Sequence, residues 1–170
     1  MPHHLSMAPT IRPATLSDVP AITAIHNETI ATHSATMETE PKTEEGVRAW
    51  LAGLGDRQEV LIAEFDGEVV GWGVIKRYSP RPGYRFAGET SVFLRRDWRH
   101  QGIGTTLKTA VIARARELGY HHLVARIVAR NRDSISYNQR LGYEMVGIQR
   151  EVGFLNGSWE DIAVMQLVFD

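Results

Sequence analysis

The chain has 170 residues, enough for one domain with a full core. Its net charge of −1 gives no electrostatic case for a nucleic-acid or anionic-membrane partner, and it carries no apolar run long enough to span a bilayer and no signal-peptide pattern. With no cysteine, disulfides, thiolate zinc sites and an acyl-cysteine intermediate are excluded, and a cytoplasmic protein is expected. Residues 1–10, with Pro2, His3, His4 and Pro9, read as a flexible lead-in. Ile11-Arg12-Pro13-Ala14 is a short first strand ended by proline. Ser17 or Asp18 then caps a helix carrying Val19, Ile22, Ile25 and Thr29, with Pro20 tolerated in its first turn. Residues 30–41 lack a period and read as a loop. A second helix starts at Thr43, places Glu44 and Glu45 at its positive end, buries Val47, Trp50, Leu51 and Leu54, and stops at Gly55.

Residues 60–65 and 68–77 are the strands of a hairpin joined by Asp66-Gly67, a type I′ turn signal. Residues 78–85 hold Pro80, Pro82 and Gly83 and make a surface loop. A strand follows at 86–94, then a helix at 105–118 whose apolar positions Leu107, Val111, Ala115 and Leu118 continue from Ile103 at helical spacing. Gly119 caps that helix, and residues 122–128 form a mostly apolar inner strand. Asn131 opens a loop, Asp133 or Ser134 caps a short helix ending at Leu141-Gly142, and short strands follow at 143–149, 151–156 and 159–169, the last two joined by Asn156-Gly157. The order β-α-α-β-β-β-α-β-α-β-β, without repeat or linker, implies one α/β domain (α+β mixed) with a mixed sheet and helices on both faces.

Ahead of the long helix stands Arg99-His100-Gln101-Gly102-Ile103-Gly104. Its glycines let the backbone turn sharply and approach a ligand. The first N–H groups of the helix lack internal partners, and with the helix dipole they favour an anion, usually phosphate. The stretch is not a P-loop, because no glycine precedes Lys108-Thr109, nor a dinucleotide fingerprint, because Leu107 stands at the third glycine. By itself it is equally a glycine turn before a core helix.

The hexapeptide fits the pattern Gln/Arg-x-x-Gly-x-Gly/Ala. Together with Ile25-His26-Asn27, Glu40-Pro41, Trp50, Gly83-Tyr84-Arg85, Glu89-Thr90-Ser91-Val92-Phe93-Leu94, Asn131, Ser134, Leu141-Gly142-Tyr143, Val152-Gly153, Trp159 and Met165-Gln166-Leu167, it makes the chain resemble the GNAT superfamily of N-acetyltransferases, within it the phosphinothricin and methionine sulfoximine branch. The resemblance implies an N-acetyltransferase domain over residues 11–170, with a mixed, mostly antiparallel sheet whose central parallel strands splay. It implies acetyl-CoA as co-substrate, and no metal, in the notch between the strand of residues 92–94 and that of 122–128. Val92, Phe93 and Leu94 would act through the backbone; Arg99, His100, Gln101, Gly102, Ile103 and Gly104 would hold the pyrophosphate. Asn131, with Ser134, would bond the pantetheine arm or hold the neighbouring loop.

The implied chemistry is attack of a neutral amine on a thioester. An amine of pKa ~10.4 is only about one part in two thousand neutral at pH 7, so a nearby carboxylate is needed to take its proton. Glu89 alone reads as an exposed strand-end charge; the resemblance makes it the general base. The oxyanion would meet the N–H of Val92 or Phe93. Where relatives carry a tyrosine or histidine acid for the thiolate, this chain has Asn138, which cannot act as one; Tyr137 is expected on another side of its helix. Tyr78, Ser79, Pro80 and Arg85, with Asn27, Thr36 and Met37 from closing loops, would line the acceptor site. Arg85 would grip a substrate carboxylate or serve as a structural ion-pair partner. Arg77, Arg81 and Arg85 favour a small amine that is anionic or zwitterionic. Peptide N-termini, polyamines, aminoglycosides and a non-catalytic acyl-CoA-binding role are the alternatives. The branch also implies a homodimer through the C-terminal strands.

Overall fold

The computed structural model describes residues 8–170, so the reading of His3 and His4 lies outside the described residues. Seven strands form one sheet: β1 Thr10–Pro13, β2 Glu59–Phe65, β3 Glu68–Arg77, β4 Ala87–Leu94, β5 His122–Val128, β6 Glu144–Leu155 and β7 Ser158–Val168, in the order β1-β2-β3-β4-β5-β7-β6. Four helices complete the domain: α1 Val19–Ala31, α2 Glu44–Ala52, α3 Ile103–Glu117 and α4 Arg132–Arg140. The expected element order and fold class hold. On one face Leu107, Val111 and Ala115 of α3 pack with Val70, Ile75, Leu123 and Met165; on the other, Val19, Ile22 and Ile25 of α1 and Val47 of α2 pack with Val60, Ile62, Trp72 and Val74.

Several boundaries differ from the sequence reading, each for a local hydrogen-bonding reason. Neither Ser17 nor Asp18 caps α1 through its side chain. Asp18 is buried, accepts from both Arg12 terminal nitrogens (2.9 and 2.8 Å) and from the Thr15 N–H (2.8 Å), and so starts a short helical turn at Leu16. Thr43 caps α2 by accepting from Gly46 N–H, but the helix ends at Gly53 rather than Gly55. Asn131 is itself the cap of α4, accepting from the Ser134 N–H at 3.2 Å, so neither Asp133 nor Ser134 fills that place. The two strands expected at 143–149 and 151–156 are one strand, β6, interrupted by bulges. Glu151 takes a φ of 52° there and its N–H donates to Asp161 Oδ1 (2.7 Å), which keeps the chain in the ladder.

Arg12 holds the Asp18 carboxyl below the usual carboxylate range. That contribution is present at neutral pH and lost as pH falls through the lowered value. Asp18→Asn is therefore expected to cost about 1.5–3 kcal/mol at neutral pH and to flatten the acid side of the stability curve, as thermal melts across the acid range would record.

Every neighbouring strand pair is antiparallel except β4–β5. That pair touches only at Ala87–Glu89 against His122–Val124. Beyond it β4 stays with β3 to Leu94 and β5 stays with β7 to Val128. Each strand is held along its length by its outer neighbour, so sheet twist carries the two apart into a fork.

Candidate active site

The fork fixes which backbone groups are free. Tyr78 N–H donates to Ala87 O (3.1 Å) and Arg95 N–H to Val70 O (2.9 Å), one at each end of the β3–β4 ladder. Antiparallel alternation between those bonds turns Phe93 toward β3 and turns Val92 and Leu94 toward the open side. Of the two oxyanion donors expected, the Val92 N–H is the one available; the Phe93 amide is spent on Trp72 of β3.

Three cavities meet at this fork. The first, about 640 Å³, is lined by Val92, Phe93 and Leu94, by Arg99, His100, Gly102, Gly104 and Thr105 ahead of and within the first turn of α3, and by Asn131, Ser134, Tyr137 and Arg140 of the α4 region. Gly102 has φ +82°, and a Cβ built there would meet nothing within 4 Å, so the loop is an open cradle that a side chain would fill. Arg99, Arg130 and Arg140 border it, and the Arg99 Nη2 also donates to Ser34 Oγ (3.3 Å). Free helix-start amides, an open cradle and the guanidinium groups of Arg99 and Arg140 suit the two phosphates of a coenzyme A diphosphate, while Arg130 is paired with Glu160. Two expected members stand aside: the Gln101 Nε2 donates to Asp97 O (3.3 Å), and the Ile103 side chain is buried in the core, which leaves only its backbone for the loop.

The second cavity, about 810 Å³, lies on the α1–α2 side and has an aromatic floor of His26, Trp50, Trp72 and Phe93. Trp72 stacks on Phe93 with ring centroids 4.6 Å apart, and His26 meets Phe93 edge-on at 5.3 Å. Both His26 ring nitrogens and the Trp72 Nε1 are buried without a hydrogen-bond partner. Burial pushes the His26 imidazole below its usual range, so it is neutral at pH 7. Such orphaned polar atoms around a cavity are what a bound polar ligand would satisfy. Lys42, Lys76 and Arg126 also border this cavity, against one carboxylate, Glu38. Thr36 and Met37 line it as expected. Met37 reaches it over Gly153 of β6, where a Cβ would collide with the Met37 Cε.

Glu89 lies on this face of β4, in register with Ser91 and Phe93, both of which line the cavity. Its Oε2 accepts from Arg126 Nη1 at 2.7 Å; its other oxygen has no partner among the described residues. Asn27 is instead a latch: its amide donates to Lys42 O (2.9 Å) and accepts from Lys42 N–H (2.7 Å), closing the 30–41 loop. Tyr78, Ser79, Pro80 and Arg85, like Glu89, are not in the cavity lining, but the Tyr78 ring lies 5.7 Å from the Arg126 guanidinium that does line it and meets Tyr84 edge-on. Arg85 donates to Pro82 O (3.3 Å) and covers the Phe86 ring, with no ion pair among the described residues. The cations at the cavity are thus Lys42, Lys76 and Arg126 in place of Arg77, Arg81 and Arg85. Trp72 and Lys76 carry no signal in the sequence, because α1, β3 and β6 converge there only through the sheet order; for His26 and Val152 the signals are Ile25-His26-Asn27 and Val152-Gly153, which do not by themselves place the residues at a cavity.

A third, small cavity of about 40 Å³ joins the other two and includes Ser91, Val92, Phe93, Arg126, Tyr137 and Asn138. Tyr137 therefore shares the fork with Asn138, contrary to the expectation from helix spacing.

An anion cradle, a strand fork and an aromatic acceptor cavity meeting at one point define an acyl-transfer enzyme of the kind that takes its acyl group from a coenzyme A thioester. The sequence pattern of the acetyltransferase (GNAT) domain matches residues 11–164, and the chain belongs to that family. It is 35% identical over 166 residues to an L-methionine sulfoximine/L-methionine sulfone acetyltransferase of Pseudomonas aeruginosa, covering 96% of each chain. A GNAT superfamily phosphinothricin acetyltransferase from Sinorhizobium meliloti, solved in complex with AcCoA, superposes with a TM-score of 0.92 at 30% identity, over 96% of this chain and 89% of that one. A ribosomal-protein-alanine N-acetyltransferase from Brucella melitensis superposes with a TM-score of 0.91 at 35% identity, over 94% of this chain and 99% of that one.

Proposed function

We propose that this acetyltransferase acetylates the α-amine of a small zwitterionic amino acid, of the methionine sulfoximine or phosphinothricin type, by direct attack on acetyl-CoA. The observation that carries the reading is the second cavity: an aromatic floor of His26, Trp50, Trp72 and Phe93 beside Lys76, which has no ion-pair partner among the described residues and can receive an anionic group, open to the fork. Glu89 takes the amine proton through its free oxygen, while Arg126 holds the carboxylate in place. The Val92 N–H meets the oxygen that gains charge at the thioester carbonyl. Arg99 and the amides from Gly102 to Gly104, with His100 at the rim, receive the diphosphate, and Asn131 and Ser134 shape the channel for the pantetheine arm. No acyl-enzyme step is needed.

A thiol-release assay with acetyl-CoA and a panel of amino acids, polyamines and peptides tests this. Turnover is expected with methionine sulfoximine, methionine sulfone or phosphinothricin; turnover with peptides alone would transfer the function to a protein amine, as the name ribosomal-protein-alanine N-acetyltransferase gives for the Brucella relative. A polycation fits poorly beside Lys76, since Lys42 and Arg126 are already paired with Glu38 and Glu89. Lys76→Met is expected to raise the acceptor KM about tenfold or more with little change in kcat, as the loss of one charge-assisted contact predicts.

We place the protein in the cytoplasm and as a homodimer. Val146, Ile148, Val152 and Phe154 of the edge strand β6 are exposed, as is Trp159 at the start of the neighbouring β7, at 63%. An edge this apolar is expected to be covered; sedimentation of Trp159→Arg against the parent chain tests it.

A further inference from the structure

The proposed reaction leaves one proton unassigned, and the fold buries one amine that the reaction does not use. Lys108 of α3 is 2% exposed, yet no carboxylate or hydrogen-bond acceptor among the described residues meets its ammonium. Its Nζ lies 4.8 Å from the centre of the Tyr143 ring. Lys108 lines the small cavity at the fork, together with Thr90 to Phe93 of β4, Ala125 to Val128 of β5, and Asn131, Ser134, Tyr137 and Asn138. Asn138 faces the same space with Oδ1 buried and unpartnered, its Nδ2 being given to Ser134 O at 2.8 Å. An unpaired buried amine is costly, and a fold retains one only where something offsets that cost. The cavity has room for about one water or one small group. It shares Val92, Phe93, Asn131, Ser134 and Tyr137 with the cofactor cavity, and Ser91, Phe93, Arg126 and Val128 with the acceptor cavity. The bond to be broken must lie where the two large cavities meet.

We propose that Lys108 is the general acid of this enzyme, delivering a proton from Nζ to the sulfur of departing coenzyme A, in the place that Asn138 cannot fill. The proposal rests on the cofactor site described above. In the step, the C–S bond breaks with its electron pair on sulfur, one N–H of the ammonium passes to sulfur directly or through one water, and neutral Lys108 regains a proton from solvent after thiol release. The amine's own proton leaves by Glu89.

The groups facing Lys108 bear this out chemically. Arg126 from β5, Tyr137 from α4 and Tyr143 beyond it are the titratable groups around it; β4 contributes only Thr90, Ser91, Val92 and Phe93, and the hydroxyl of Tyr143 is bonded to Thr90 Oγ1 (2.7 Å). Burial raises the Tyr137 hydroxyl above its usual range, which makes it a reluctant donor to a thiolate of ordinary pKa ~8.5. Burial instead lowers Lys108 to about 7, so its ammonium gives up a proton to that thiolate downhill and is half-charged at neutral pH.

The test is Lys108→Met, which keeps the volume and removes the charge. Coenzyme A binding by calorimetry is expected to persist. Turnover should fall about tenfold near neutral pH, less than a usual general-acid loss because a thiolate is a good leaving group. The alkaline limb of the kcat profile should vanish, and Asn138→His added to Lys108→Met should restore part of the rate. An unchanged kcat profile in Lys108→Met overturns the proposal, as does an acetyl adduct on Lys108 by mass spectrometry, which would make it a nucleophile. Failure of the parent protein to bind coenzyme A would overturn the cofactor site as well.

Discussion

Gly102→Val is expected to abolish acetyl-CoA binding while the domain stays folded. The residue caps α3 at φ +82°, a region where a β-branched side chain is strained, and its Cβ would project into the open cradle. Left-handed strain of about 1–2 kcal/mol translates into a melting shift of only ~2–8 °C for a chain of this size. Binding suffers far more, because two methyl groups would occupy space that an anion needs and would tilt the Ile103, Gly104 and Thr105 amides away from it. Calorimetry should show at least a hundredfold loss of affinity, with the thermal melt as control for folding. Affinity within a few-fold of the parent protein would remove the diphosphate from this loop.

Glu89→Gln is expected to lower kcat by roughly 10²–10³ and to leave acetyl-CoA affinity almost unchanged. Glutamine keeps the hydrogen bond to Arg126 Nη1 and the shape of the strand, but it has no basic oxygen to take a proton from the acceptor. The loss should shrink as pH rises toward the amine pKa, since a growing fraction of acceptor then arrives neutral. Equal losses in turnover and in cofactor affinity at every pH would mark Glu89 as a structural partner of Arg126 and nothing more. The two variants separate the halves of the site: the glycine acts on binding, the glutamate on chemistry. Lys108→Met acts on neither the cradle nor the base, so a combined profile of the three would locate each proton.

Much of this architecture was legible in the chain. Asp66-Gly67 adopts positive φ at both residues and closes the expected hairpin, His122–Val128 is the inner strand its apolar run predicts, and Gly102 and Gly119 bracket α3 at φ +82° and +89°. The cofactor half of the site was legible for the same reason. A diphosphate loop is a contiguous feature, built from helix-start amides and glycines a few residues apart, and nine of the eleven residues expected at the cofactor line one cavity, all but Gln101 and Ile103. The acceptor half was not. Its walls come from α1, α2, β3, β4, β5, β6 and the 30–41 loop, and which residues meet depends on a sheet order that places β4 beside β5 and β7 inside β6. That is why Tyr78, Ser79, Pro80 and Arg85 were expected at a cavity that Lys42, Lys76 and Arg126 in fact border.

The sequence by itself determined the order of elements, the anion loop and the strand that carries Glu89, because each depends on turn chemistry, helix-start geometry or periodicity within a dozen residues. Only the tertiary structure decided that the Val92 amide is free and the Phe93 amide is not, since that follows from the β3–β4 register and the fork beyond Glu89. Lys108 shows the same division most plainly. Beside Leu107 on an amphipathic helix, it reads as an ordinary boundary lysine. It is buried because the Tyr143 ring, the fork and the start of α4 converge over that one turn of α3, and no local pattern encodes the approach of elements so far apart in the chain.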